Sequence, residues 1–189
     1  MFAQVLSATL RILSFRAGPE DFPFDASRRL TAICLIFALL VNTLFVALLS
    51  PLIFAFVSAA MNVGLLALLT RSALAARKLD NRFQQTFNAL LLTTSLLTLA
   101  MTPFWAQLAP ILLEIARLAS KNPDLLNHPE QWPQMSGLAN FLLAALGFWQ
   151  IAVIGHIFYR AAGGMALFML IATVVLLLVL TNLSVGGPL

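Results

Sequence analysis

FWQIAVIGHIFYRAAGGMALFMLIATVVLLLVL, residues 148–180, decides the fold. One apolar run closes on Tyr159-Arg160 and breaks at Gly163-Gly164, and a second apolar run starts at once. A basic residue followed by glycine is a helix stop, and roughly 20 apolar residues span a bilayer. The stretch therefore reads as a helical hairpin in a membrane, with the earlier apolar runs packed on it.

Working outward, the whole chain has the same character. It is 189 residues long, 61% hydrophobic and 10% charged, with a mean hydropathy of +0.95. Soluble domains carry about a quarter charged residues, so this chain needs lipid as its solvent. It forms one membrane domain with no room for a separate soluble one. The net charge of +4 comes from bases that flank apolar runs, which is the positive-inside pattern and not a nucleic-acid patch. A single cysteine, Cys34, forms neither an internal disulfide nor a zinc site and reads as a small packing residue.

The predicted fold is all-α: a polytopic bundle of five transmembrane helices with an N-terminal interfacial helix. Residues 1–29 form a cytoplasmic amphipathic helix and linker, and 30–189 form the membrane domain. The spans fall at about 30–50, 52–70, 83–102, 137–159 and 165–183. Pro51 ends the first span or starts the second, and Pro103 closes the third. Residues 103–136 form an extracytoplasmic amphipathic loop along the far membrane face, with Trp105 and Trp132 as interfacial belt residues.

Phe2, Val5, Leu6, Leu10 and Leu13 recur at helical spacing in residues 1–15. This stretch lacks an early basic region and a small-x-small cleavage site, so it is expected to be retained. It is too short and polar to span. Two placements stay open: in the headgroup plane, or as a cap on the cytoplasmic end of the bundle. In residues 17–29, Pro19 and Pro23 forbid a continuous helix. Phe22 and Phe24 are expected at the interface, Glu20, Asp21 and Asp25 in water, and Asp25 or Ser27 as a cap for the next helix. The three carboxylates match no EF-hand spacing, and Arg16, Arg28 and Arg29 can neutralise them, so a solvated linker is expected.

With the N-terminus in the cytoplasm, five crossings leave Arg11, Arg16, Arg28, Arg29, Arg71, Arg77, Lys78, Arg82 and Arg160 inside. Only Arg117 and Lys121 fall outside, and the C-terminus is extracytoplasmic. Arg28, Arg29, Arg71, Arg77, Lys78 and Arg82 are candidate contacts to lipid headgroups, at about 1 kcal/mol each near an anionic surface.

Intramembrane chemistry usually rests on ionisable residues at depth. No Asp, Glu, Lys or Arg sits in the middle of a predicted span. The candidate polar intramembrane site is Asn62, Thr94, Thr98, Gln150 and His156, with Asn42 and Asn140 as further amides. Thr94, Thr98 and Thr102 share one helix face, which reads either as a polar path or, preferentially, as adhesion to backbone and neighbouring helices. His156 is one turn from Arg160 and has no carboxylate partner in sequence. His128 with Asp124 and Glu130 lacks a metal-ligand spacing. No GxSxG, HExxH, CxxC or P-loop pattern occurs, so no catalytic residue, metal or cofactor is expected.

Two segments resemble the YIP family of Ypt/Rab-interacting membrane proteins, and its small bacterial members. One is KLDNRFQQTFNALLLTTSLLTLAMTPF, residues 78–104, with a basic loop, an aromatic–polar start at Phe83, Gln85 and Phe87, and the closing Pro103. The other is Trp149, Gly155, Tyr159-Arg160, Gly163-Gly164 and Ala166. The resemblance implies a five-helix layout with a cytoplasmic N-terminus and an adaptor style of function. The resulting expectation is a non-enzymatic scaffold or accessory subunit in a bacterial inner membrane. Its partners are the lipid bilayer and other membrane proteins or a second copy of itself, with no nucleic acid. A carrier or flippase for a neutral or lipidic substrate is the alternative, and a membrane-embedded lipid-modifying enzyme the third.

Overall fold

The computed structural model describes residues 2–24, 28–121 and 137–163. All regular structure among them is helical: α1 (Phe2–Leu13), α2 (Arg29–Val46), α3 (Leu52–Ala75), α4 (Phe83–Lys121) and α5 (Gly137–Ala162). The last four are long and apolar enough to cross a membrane. The predicted fifth span at 165–183 lies outside the described residues, as do Asp25, Ser27, Asp124, His128, Glu130, Trp132, Gly164 and Ala166.

Helices α2, α4 and α5 form the centre, and α3 packs on α2. Small residues let these helices approach closely: Cys34 and Ala38 on α2, Ala55 and Ala59 on α3 and Ala89 on α4 are buried. Along α2 the large apolar residues Ile33, Ile36, Leu40 and Leu44 are exposed, while Leu90 and Leu91 of α4 and Ile154, Ile157 and Phe158 of α5 fill the centre. The exposed apolar row on α2 is a face that lipid as solvent accepts. Pro51 stands at the N-cap of α3 in an extended conformation, ψ 145°, and turns α2 into α3.

Helix α4 corrects the sequence reading. It does not stop at Pro103, but runs unbroken for 39 residues through Pro103 and Pro110. At about 1.5 Å per residue it is about 58 Å long, nearly twice a hydrocarbon core of about 30 Å. Each proline removes one backbone hydrogen bond, and the helix survives where its surroundings hold it. The Trp105 ring stacks on Phe45 at the end of α2, centroids 5.4 Å apart and planes at 17°. Trp105 is therefore a packing residue between helices.

The linker after α1 is the second correction. Ala17, Gly18, Pro19 and Phe22 are buried, Phe22 to 1% exposure. It is a docked segment, not a solvated one, although Glu20 and Phe24 remain exposed. Helix α1 also joins the core, burying Val5, Ala8, Thr9 and Ile12 against the bundle. Of its two open placements, packing on the bundle is the one observed.

Candidate functional site: the α5 seam and the basic end

Helix α1 ends in a Schellman turn, in which the Arg16 amide donates to the Arg11 carbonyl at 2.8 Å and Phe15 takes a left-handed φ of 60°. That conformation costs a non-glycine residue about 1–2 kcal/mol. Two ring contacts offset it: Phe15 lies 5.5 Å from Trp149 and meets His156 edge-on at 5.3 Å. The turn therefore exists where α5 supplies the rings.

Residues 13–20 then run along α5, and three side chains of that helix hold them. The Trp149 indole Nε1–H donates to the Leu13 carbonyl at 3.1 Å. His156 Nε2 lies 2.9 Å from the Ala17 carbonyl; a carbonyl only accepts, so Nε2 carries the proton. Arg160 pairs with the Glu20 carboxylate. The spacing of seven and four residues keeps all three on one face of α5. Two further bonds close the segment: the Gly18 amide donates to Asp21 Oδ2 at 3.0 Å, and Gln85 Nε2 of α4 donates to the Phe22 carbonyl at 2.9 Å. Glu20 and Asp21 are thus used within the segment, and the base that neutralises Glu20 is Arg160.

This seam reaches into the apolar part of the bundle. Trp149 and Arg160 are eleven residues apart, about 16 Å along the helix. Arg77, just past α3, comes near Gly163, since a Cβ built there would lie 3.8 Å from Arg77 Nη2. Counting fourteen residues back from each brings Val63, midway along α3, level with Trp149. Carbonyls at a helix end or beyond it need partners where water is excluded, and Trp149 and His156 supply donors to Leu13, the last residue of α1, and to Ala17.

The five predicted polar residues are not brought together as one site. His156 serves the seam. Thr94 Oγ1 donates to the Leu90 carbonyl of its own helix at 2.6 Å, and Thr102 does the same to Thr98 at 2.9 Å. Thr98 is buried and Gln150 half-buried. Asn42 likewise turns back to Ala38 at 2.8 Å. Asn62 Oδ1 is buried without a hydrogen-bond partner among the described residues. The sequence reading passed over Asn88, fully buried with both amide atoms unpartnered, and gave Ser95 no site role although its hydroxyl is buried and unpartnered too. Their seven-residue spacing, two turns of α4, was the available signal.

At the basic end, Arg82 lines a recess of about 420 Å³ with Glu20, Tyr159, Arg160 and Gly163. Gly163 ends α5 with φ 72°, the left-handed conformation that glycine accepts. Arg28 takes the N-cap of α2, also left-handed at φ 59°. Arg29, Arg71, Arg77 and Lys78 are exposed at this same end. No protein-family profile, curated protein or solved structure matches the chain.

Proposed function

We propose that this chain is a non-enzymatic scaffold or accessory subunit of a membrane complex, YIP-like in layout, with its basic end in the cytoplasm of a bacterial cell. One observation carries the reading: His156, the candidate base near the membrane edge, is spent with Trp149 and Arg160 on holding the N-terminal segment. Side chains committed to their own chain build a rigid body. The exposed apolar rows of α2 and α3 then face lipid or a neighbouring protein. In native gels of gently solubilised membranes the chain is expected in a discrete assembly larger than 20.6 kDa. Migration as a lone chain in every mild detergent contradicts the proposal.

A carrier for a neutral or lipidic molecule is the second reading, and a different observation favours it. Thr43, Asn62 and Ser95 each bury a polar atom without a hydrogen-bond partner among the described residues. They lie about 18–21 Å from the basic ends of α2, α3 and α4 by helical rise, on helices that pack together. Saturable uptake into reconstituted vesicles that Asn62→Leu and Ser95→Ala abolish supports this reading over the first.

A further inference from the structure

We propose that the recess between α5 and the α3–α4 turn is a binding site for the phosphate ester of an anionic membrane lipid. Arg82 and Arg160 line it, and Arg77 stands beside its Gly163 wall. Two guanidinium groups from separate parts of the chain thus line the recess and a third stands beside it, while Glu20, the one carboxylate among the described lining residues, is engaged by Arg160. Arg77 and Arg82 have no ion-pair partner among the described residues. The recess is net positive with its donors free on one side, and guanidinium forks match phosphate oxygens two at a time. Tyr159 adds a hydroxyl donor on the same wall.

The recess also lies at the right level for a lipid. The apolar part of α3 stops at Arg71, α2 starts at Arg29 and α4 follows Arg82, all at this end of the bundle. A headgroup phosphate sits where the apolar runs stop, and its acyl chains continue down the apolar helix faces. A soluble phosphate ester offers the same charge but gains nothing from those faces. Sequence position alone treats Arg28, Arg29, Arg71, Arg77, Lys78 and Arg82 as equivalent bases. The structure sets Arg82, which lines the recess with Arg160, and Arg77, which stands beside its Gly163 wall, apart from Arg71, which neither lines the recess nor comes near Gly163. The inference is independent of the scaffold role, because it needs only the membrane placement of this end.

The test uses the full chain in nanodiscs of phosphatidylcholine titrated with phosphatidylglycerol, reading retained lipid by native mass spectrometry. Each neutralised charge is worth about fivefold. Arg82→Gln and Arg77→Gln are expected to weaken phosphatidylglycerol retention about fivefold each and about 25-fold together, with Arg71→Gln within about twofold of the parent. Arg82→Lys, which keeps the charge but not the fork and guards against a folding artefact, is expected to recover part of the loss. Soluble glycerol phosphate is expected to compete weakly. Equal losses for Arg71→Gln and Arg82→Gln would mean a diffuse basic surface and overturn the site. Displacement of phosphatidylglycerol by glycerol phosphate at matched concentration would overturn the assignment to a lipid.

Discussion

Helices α4 and α5 both carry polar side chains through apolar surroundings, and they use them in opposite ways. On α4, Thr93, Thr94 and Thr102 bond to carbonyls four residues back on the same helix. On α5, Trp149, His156 and Arg160 bond to Leu13, Ala17 and Glu20, some 136 to 140 residues away in sequence. Reach decides the difference. A threonine hydroxyl sits one bond from Cβ and finds its own helix first. An indole, imidazole or guanidinium extends past the helix surface and can satisfy another segment. Polar residues in a membrane helix are therefore not one class: these threonines bond within their helix, and the longer side chains, Gln85 of α4 among them, reach another segment.

Substitutions should break this contrast in a graded way. Phe22→Ala empties the buried anchor of the docked segment and is expected to cost about 3 kcal/mol, read as thermal unfolding in mild detergent together with faster proteolysis near residue 22. Trp149→Phe and His156→Leu each leave a carbonyl of that segment without its donor. Their expected cost is about 1–2 kcal/mol, with protease access rising at residues 13–20 and not in the α3–α4 turn. Arg160→Gln removes an ion pair whose side chains are 47% and 38% exposed. Its effect should stay under about 1 kcal/mol and shrink as salt is added. Thr94→Val swaps a self-bonded hydroxyl for a methyl and should shift stability by no more than a few tenths of a kcal/mol. If Thr94→Val cost more than His156→Leu, the assignment of α4 hydroxyls to their own helix would be wrong.

Much of the scaffold is legible in the residues themselves. The apolar runs of α2, α3 and α5, the Pro51 turn and the Gly163 stop follow from length, hydropathy and backbone chemistry. Pro103 misled because a proline is a strong local signal, whereas the Trp105–Phe45 stack that accompanies continuation past it is a contact between helices distant in sequence. Residues 17–22 misled for a related reason. Prolines and carboxylates look like a wet linker, and what docks them is backbone carbonyls of Ala17 and Phe22, acceptors that every residue has. A site made of side chains alone leaves a pattern in sequence; a site in which one partner is backbone leaves half a pattern. Asn88 and Ser95 were visible as a seven-residue spacing, but their burial depends on which face of α4 meets its neighbours.

The central claim is that the end of α1 and the segment after it lie along α5, with Leu13 at Trp149. A photo-crosslinker in place of that indole, Trp149→p-benzoylphenylalanine, reports it directly in native membranes. Irradiation followed by peptide mapping is expected to join position 149 to the peptide containing residues 13–16, and Phe15→Ala, which removes the neighbouring ring, is expected to lower the yield. Adducts to lipid alone, with the N-terminal peptide recovered unmodified, would contradict the docked seam and the scaffold reading that rests on it.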